Sequence, residues 1–151
     1  MLWVDAAEIR FKISPHDDLS GIRGGDWDLE RRFPLEDALK HVSIRQRYVH
    51  GKRWEDTQLF EAYRRRIRIE PIRGEATIQG LLAQYYDRVD GMFESLRKSF
   101  RTDCPLPKFL IGRDGDVFIG NQGNHRLAMA QILGIRIAGE VLCRHKCLTA
   151  A

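Results

Sequence analysis

At 151 residues, 43% hydrophobic and 30% charged, the chain has the length and composition of one soluble globular domain with a buried core, which excludes a disordered segment. The formal charge of +4 favours an anionic ligand or nucleic acid and is too small for a polybasic tail. No apolar run approaches the ~20 residues of a membrane helix, MLWVDAAEIRFK lacks the cationic start of a signal peptide, and three cysteines are an odd number for a disulfide framework, so a cytoplasmic protein with no membrane partner is expected.

In chain order, Leu2–Val4 and Ile9–Ile13 read as short strands, and Ser14-Pro15 with His16–Gly25 as a polar loop. Pro34 stands where a helix begins, Glu36 and Asp37 suit its first turn, and Leu35, Ala38, Leu39 and Val42 mark one face, up to a break at Gly51. A second helix is predicted over Trp54–Ile69, with Glu55 and Asp56 at its start and arginines at its end, stopped by Pro71 and Gly74. A third, Thr77 to Phe100, carries the cleanest apolar period. Cys104-Pro105-Leu106-Pro107 is a stiff connector. Then come a strand at Phe109–Ile111, a turn at Arg113–Asp116 with the Asp-Gly step that hairpins favour, and a return strand at Val117–Ile119. Gly120, Asn121 and Gly123 turn the chain into a helix over Arg126–Leu133 with Gly134 as its C-cap, and Glu140–His145 is the closing strand. The expected fold class is α+β, a small mixed sheet with a helical layer. One domain covers 1–151, with strands and helices in 1–107 and hairpin, turn-helix and closing strand in 108–146.

The glycine-rich turn carries the most specific chemistry. A helix start leaves amide hydrogens without partners in a positive potential, and glycine lets a ligand approach. Asn124 offers an amide, His125 an imidazole and Arg126 a guanidinium fork, so Gly123, Asn124, His125 and Arg126 form a candidate phosphate pocket. The same residues also fit an ordinary strand-to-helix turn with a surface histidine and arginine.

The segment GNQGNHRLAMAQILGIRIAGEVLCRH resembles the signature of the ParB/sulfiredoxin superfamily, with the likeness extending over Lys108–His145. The resemblance implies a hairpin followed by a phosphate loop that opens a helix. Where sulfiredoxins carry a reactive cysteine before His-Arg this chain has Asn124, which argues against peroxidase-repair chemistry. In the ParB loop G-E-R-R, which binds the phosphates of CTP, Gly123 and Arg126 match the first and last residues while Asn124 and His125 depart. The stretches GGDWDLE and GKRWEDTQLF are similar to an extension of uncharacterised ParB-like proteins. Some superfamily members are free-serine kinases with an N-terminal carboxylate as base. That implies Glu30 first and Asp26 second as catalytic candidates beside His125, against the plainer view that they are loop and helix-start charges.

Arg64, Arg65, Arg66 and Arg68 read either as a solvated helix end or as a nucleic-acid contact, with Tyr48 and Trp54 as core aromatics or stacking platforms. Cys143, His145 and Cys147 share one strand face, with Cys104 a distant fourth, but C-x-H-x-C is not a common zinc spacing and no metal ligand is assigned. The expected function is therefore binding of a nucleotide (CTP, ATP or ADP, with Mg²⁺), with hydrolysis or phosphoryl transfer as the chemistry. The alternative is a non-catalytic module for DNA or protein carried by the arginine-rich helix.

Overall fold

The computed structural model describes residues 1–148, and the ten-residue strand that closes the chain organises its sheet. The strands are β1 (Leu2–Asp5), β2 (Phe11–Ile13), β3 (Gly21–Arg23), β4 (Arg32–Pro34), β5 (Lys108–Ile111), β6 (Val117–Ile119) and β7 (Arg136–His145). They form one mixed sheet in the order β1-β7-β5-β6-β2-β4, with β3 beside β7 as well. β7 runs antiparallel to β1 over its first half, and parallel to β5 and then β3 over its second. β5 and β6 are the expected hairpin, and β6 reaches β2 through a parallel pairing of Ile119 with Lys12.

The helices are α1 (Trp27–Glu30), α2 (Leu39–Tyr48), α3 (Gln58–Arg66), α4 (Ile78–Gly80), α5 (Asp87–Lys98) and α6 (Asn124–Leu133). The larger core joins Phe109, Ile119 and Ile137 of the sheet to Leu127 and Met129 of α6, Ile44 of α2, Phe60 of α3 and Val89 of α5. A smaller core of Ile13, Leu110, Phe118 and Cys143 lies under Leu19 and Trp27. Strand alternation sends neighbours such as Phe109 and Leu110 into different cores. A fully buried Phe, Ile or Leu contributes about 1.5–3 kcal/mol, so the larger core supplies most of the stability.

The α+β class is as expected, and several boundaries differ for physical reasons. The loop expected over His16–Gly25 contains β3, which its residues form only by pairing with Cys143–His145 of β7. Pro34 ends β4 rather than opening a helix, and a 3₁₀ turn at Leu35–Asp37 precedes α2. The helix expected over Trp54–Ile69 is a 3₁₀ turn at Trp54–Asp56 followed by α3. The break is extended Thr57, whose hydroxyl donates to the Trp54 carbonyl at 2.7 Å. The long third helix is present from Ile78 to Lys98 but widens to a π-helical stretch at Leu81–Tyr86. The closing strand begins at Arg136, because pairing with β1 extends it.

The aromatic and cysteine residues weighed above fall into structural places. Asp90 of α5 accepts hydrogen bonds from Arg47, from the Tyr48 hydroxyl at 2.8 Å and from Trp54 Nε1 at 3.1 Å, which locks α2 to α5. Cys143 is core. His145 Nδ1 accepts from the Cys147 amide at 3.0 Å and its Nε2 donates to the Gly25 carbonyl at 2.7 Å.

Candidate anion-binding cleft

Helices α2 and α6 both begin at one open cleft of about 460 Å³, lined among others by Lys12, Phe33, Asp37, Lys40, His41 and Asn124. The amide hydrogens of Leu39, Lys40 and His41 at the start of α2 have no acceptor among the described residues, nor do those of Asn124, His125 and Arg126 at the start of α6. The two starts thus present unpaired amides and the positive ends of two helix dipoles. The start of α3 differs: its Leu59 amide donates to Ser43 Oγ and its Gln58 amide to Gln46 Oε1, both at 3.0 Å.

Charge adds to this field. Lys12 is brought in by β2, where it faces Ile119 on one side and Phe33 on the other. Lys40 follows from its place in the first turn of α2. Among the described residues neither lysine is in an ion pair, and Asp37 is the one carboxylate lining the cleft. Burial, then repulsion from Arg73 and Lys12, lowers the Lys40 ammonium to about 8. A half-buried cation held beside other cations is stabilised by an anion that enters.

The cleft floor is polar and neutral. His41 and Asn124 are buried and joined through His41 Nε2 and Asn124 Oδ1 at 2.9 Å. His125 follows Asn124 in the chain, its Nε2 2.8 Å from the Tyr85 hydroxyl, and burial followed by repulsion from Lys40 and Arg73 lowers it to about 3. At neutral pH His125 is therefore an uncharged hydrogen-bonding group. At the mouth, Phe33 (41% exposed) and Leu39 (45% exposed) are apolar surfaces open to solvent beside the lysines.

The candidates from the sequence divide between this cleft and other places. Asn124 lines it, and His125 stands in its electrostatic field. Gly123 is the left-handed N-cap of α6 at φ 94°, and a side chain there would meet Pro107 at 2.5 Å, so the connector alone already demands glycine. Arg126 turns the other way: its guanidinium donates to the carbonyls of Pro105 (3.0 Å) and Arg101 and lies 3.9 Å over the Phe100 ring. Asp26 and Glu30 are not brought to the turn. Asp26 pairs with Arg113 at 2.9 Å and Glu30 is exposed. Arg113 belongs to the hairpin tip, whereas α6 starts beside Lys108, the length of β5 away. Arg64 and Arg65 lean on Glu61 at 3.6 and 3.7 Å, Arg66 pairs with Glu70 at 3.0 Å, and Arg68 is exposed. Glu61 and Glu70 thus offset part of the charge of this helix end, while Arg68 has no ion pair among the described residues. Lys12, Lys40, His41 and Asn121 were not singled out from sequence for phosphate binding. A helix start at Pro34 puts Lys40 past the first turn; only the observed start of α2 at Leu39 brings it there.

Comparison of the chain with family models, curated proteins and solved structures finds no match.

Proposed function

We propose that the cleft binds the phosphates of a nucleotide and that the chain carries the ParB/sulfiredoxin-like fold its C-terminal segment resembles. The observation that carries the functional proposal is Lys40: half-buried, without a carboxylate partner among the described residues, beside Lys12 and between two helix starts. Phosphate oxygens would take the amides of both first turns and the two ammonium groups, an arrangement suited to an anion of more than one charge. Phe33 and Leu39 at the mouth favour a ligand with an apolar or aromatic portion over bare phosphate. Asp37, the carboxylate that lines the cleft, would supply one oxygen to a Mg²⁺ carried in on the phosphates, the kind of donor this ion takes. Bound there, Mg²⁺ would neutralise phosphate charge. The positive groups assigned here are Lys12 and Lys40, with Arg126 as a structural brace rather than a phosphate clamp.

Isothermal titration with CTP, ATP and ADP, each with Mg²⁺, tests the proposal, and phosphate release in the same mixtures reads hydrolysis. Binding is expected in the micromolar range and weakened at least about tenfold by Lys40→Ala or Lys12→Ala, with Arg126→Ala much less affected. Absence of heat with every nucleotide, at protein concentrations that reveal micromolar affinity, overturns it. Binding of DNA that falls steeply with salt and survives Lys40→Ala would instead favour a nucleic-acid module.

A further inference from the structure

Lys40 also lines a second hollow, of about 400 Å³, to which Lys12 does not contribute. Leu59, Tyr63, Pro71 and Ile72 give it apolar and aromatic sides, Arg66 stands at its edge already paired with Glu70, and Arg73 faces it. Among the described residues no Asp or Glu lines it.

The placement of Arg73 is unusual for its residue type. It occupies the left-handed region at φ 52°, followed by Gly74 at φ 79°, in a tight turn closed by reciprocal 2.8 Å hydrogen bonds between Ile72 and Glu75. Such turns favour Asn, Asp or Gly at the first position, and an arginine there works against its backbone preference. The turn sets the guanidinium 5.3 Å over the Tyr85 ring and close enough to Lys40 to depress its basicity. Among the described residues Arg73 has no carboxylate within ion-pair distance. Two like charges are therefore held together at the edge of an amphipathic hollow by a turn that disfavours the residue supplying one of them.

We infer that the hollow bounded by Leu59, Tyr63, Ile72, Lys40 and Arg73 is a second ligand subsite, which takes a small organic anion with an apolar or aromatic body. Arg73 and Lys40 bind the charged end, and Leu59, Pro71 and Ile72 enclose the body. The subsite rests on the nucleotide proposal only in that Lys40 is shared, so the two ligands lie side by side across one ammonium group. The charged end is a phosphate ester or a carboxylate, which a guanidinium binds through the same paired contacts.

The test titrates the full chain with phenyl phosphate and, separately, with benzoate, each with and without saturating ADP and Mg²⁺. Arg73→Gly is the informative variant, because glycine accepts the positive φ and the turn is kept. At least one probe is expected to bind the wild type, to weaken at least about tenfold in Arg73→Gly, to be unaffected by Lys12→Ala and not to be displaced by ADP. The probe that binds identifies the charged end as phosphate or carboxylate. If neither probe binds at millimolar concentration, if Arg73→Gly binds like the wild type, or if ADP competes with the probe, the second subsite is overturned. Failure of the nucleotide proposal looks different: ADP gives no heat, while probe binding and its loss in Arg73→Gly persist.

Discussion

His41 Nε2 donates to Asn124 Oδ1 at 2.9 Å, and Asn124 Nδ2 in turn donates to the Gly120 carbonyl at 2.9 Å. The second bond fixes the first: the reversed amide would set its oxygen against the Gly120 oxygen. His41 therefore carries a proton on Nε2, and because burial keeps the ring neutral near pH 7 the bond ties the first turns of α2 and α6 together without adding charge. Burial, opposed by the bond to Asn124 and helped by Arg45, Lys12 and Lys40, lowers His41 to about 4.

Acid sensitivity follows. His41 and His125 take up a proton in the unfolded chain near the usual value of about 6.5, but in the native protein only near 4 and 3. Between these limits the unfolded state binds more protons. Stability is thus at its full value above pH 6.5 and falls as the pH drops towards 4, by up to about 1.4 kcal/mol per pH unit for each histidine. Urea unfolding at intervals from pH 7.5 to 4.5 measures this. His41→Gln is expected to flatten the slope, and a wild-type profile that is flat across this range contradicts the assignment.

Gly123→Ala is expected to cost more than about 2 kcal/mol, since it combines a positive φ with a clash. The clash is with Pro107, whose Cβ lies 2.5 Å from the added methyl position. Gly115→Ala, at φ 86° with open space around it, carries only the backbone penalty. A smaller loss for Gly123→Ala than for Gly115→Ala, measured by chemical denaturation, would show that Pro107 moves aside.

Replacement of Lys40 by methionine separates stability from binding. The ammonium is disfavoured by burial and by Arg73 and Lys12, so its removal is expected to stabilise the fold by roughly 1 kcal/mol. That corresponds to an increase of a few degrees in Tm. The same variant loses nucleotide affinity. A Lys40→Met protein that melts below the wild type would mean that the lysine has a stabilising partner within the fold.

Asp28 anchors the opposite corner. It is 1% exposed and accepts from the Arg113 amide at 2.9 Å and from its guanidinium at 2.7 and 3.0 Å. Burial raises the carboxyl, but the bonds from Arg113 and the proximity of His145 outweigh it and hold the group at about 2. Asp28→Ala is expected to cost about 2–3 kcal/mol, less than for a fully buried pair because Arg113 is partly exposed. The contribution of Asp28 is complete above about pH 4 and is lost towards pH 2. Acid titration of the wild type and of Asp28→Asn, followed by near-ultraviolet circular dichroism, separates this step from the histidine step at higher pH.

The features legible in sequence were those set by local chemistry. The Asp114-Gly115 turn, the left-handed Gly123 and Gly134 at the two ends of α6, and the long apolar period of Ile78–Lys98 all lie where turn residues and spacing put them. The cleft was legible only at its α6 wall. Lys12 reaches it through a parallel pairing with a strand more than a hundred residues later, and Lys40 through the packing of α2 on α6. Neither relationship leaves a local pattern. The direction of Arg126 was equally hidden, because carbonyls some twenty residues earlier decide it. Asp26 and Glu30 looked like partners of the turn by composition, but Arg113 holds Asp26, and with it α1, at the far end of the hairpin.

The pairing of β1 with the first half of β7 has a consequence for how the protein is made. Leu2 lies opposite Gly139 and Asp5 opposite Arg136, so the first strand of this sheet in chain order waits for its last. Until β7 is made, β1, β3 and β5 have no common neighbour, and Phe109 and Leu110 have β6 on one side and no strand on the other. The sheet therefore closes only once its last strand has been made, and until then the partly made domain leaves uncovered the apolar strand edge that β7 pairs with.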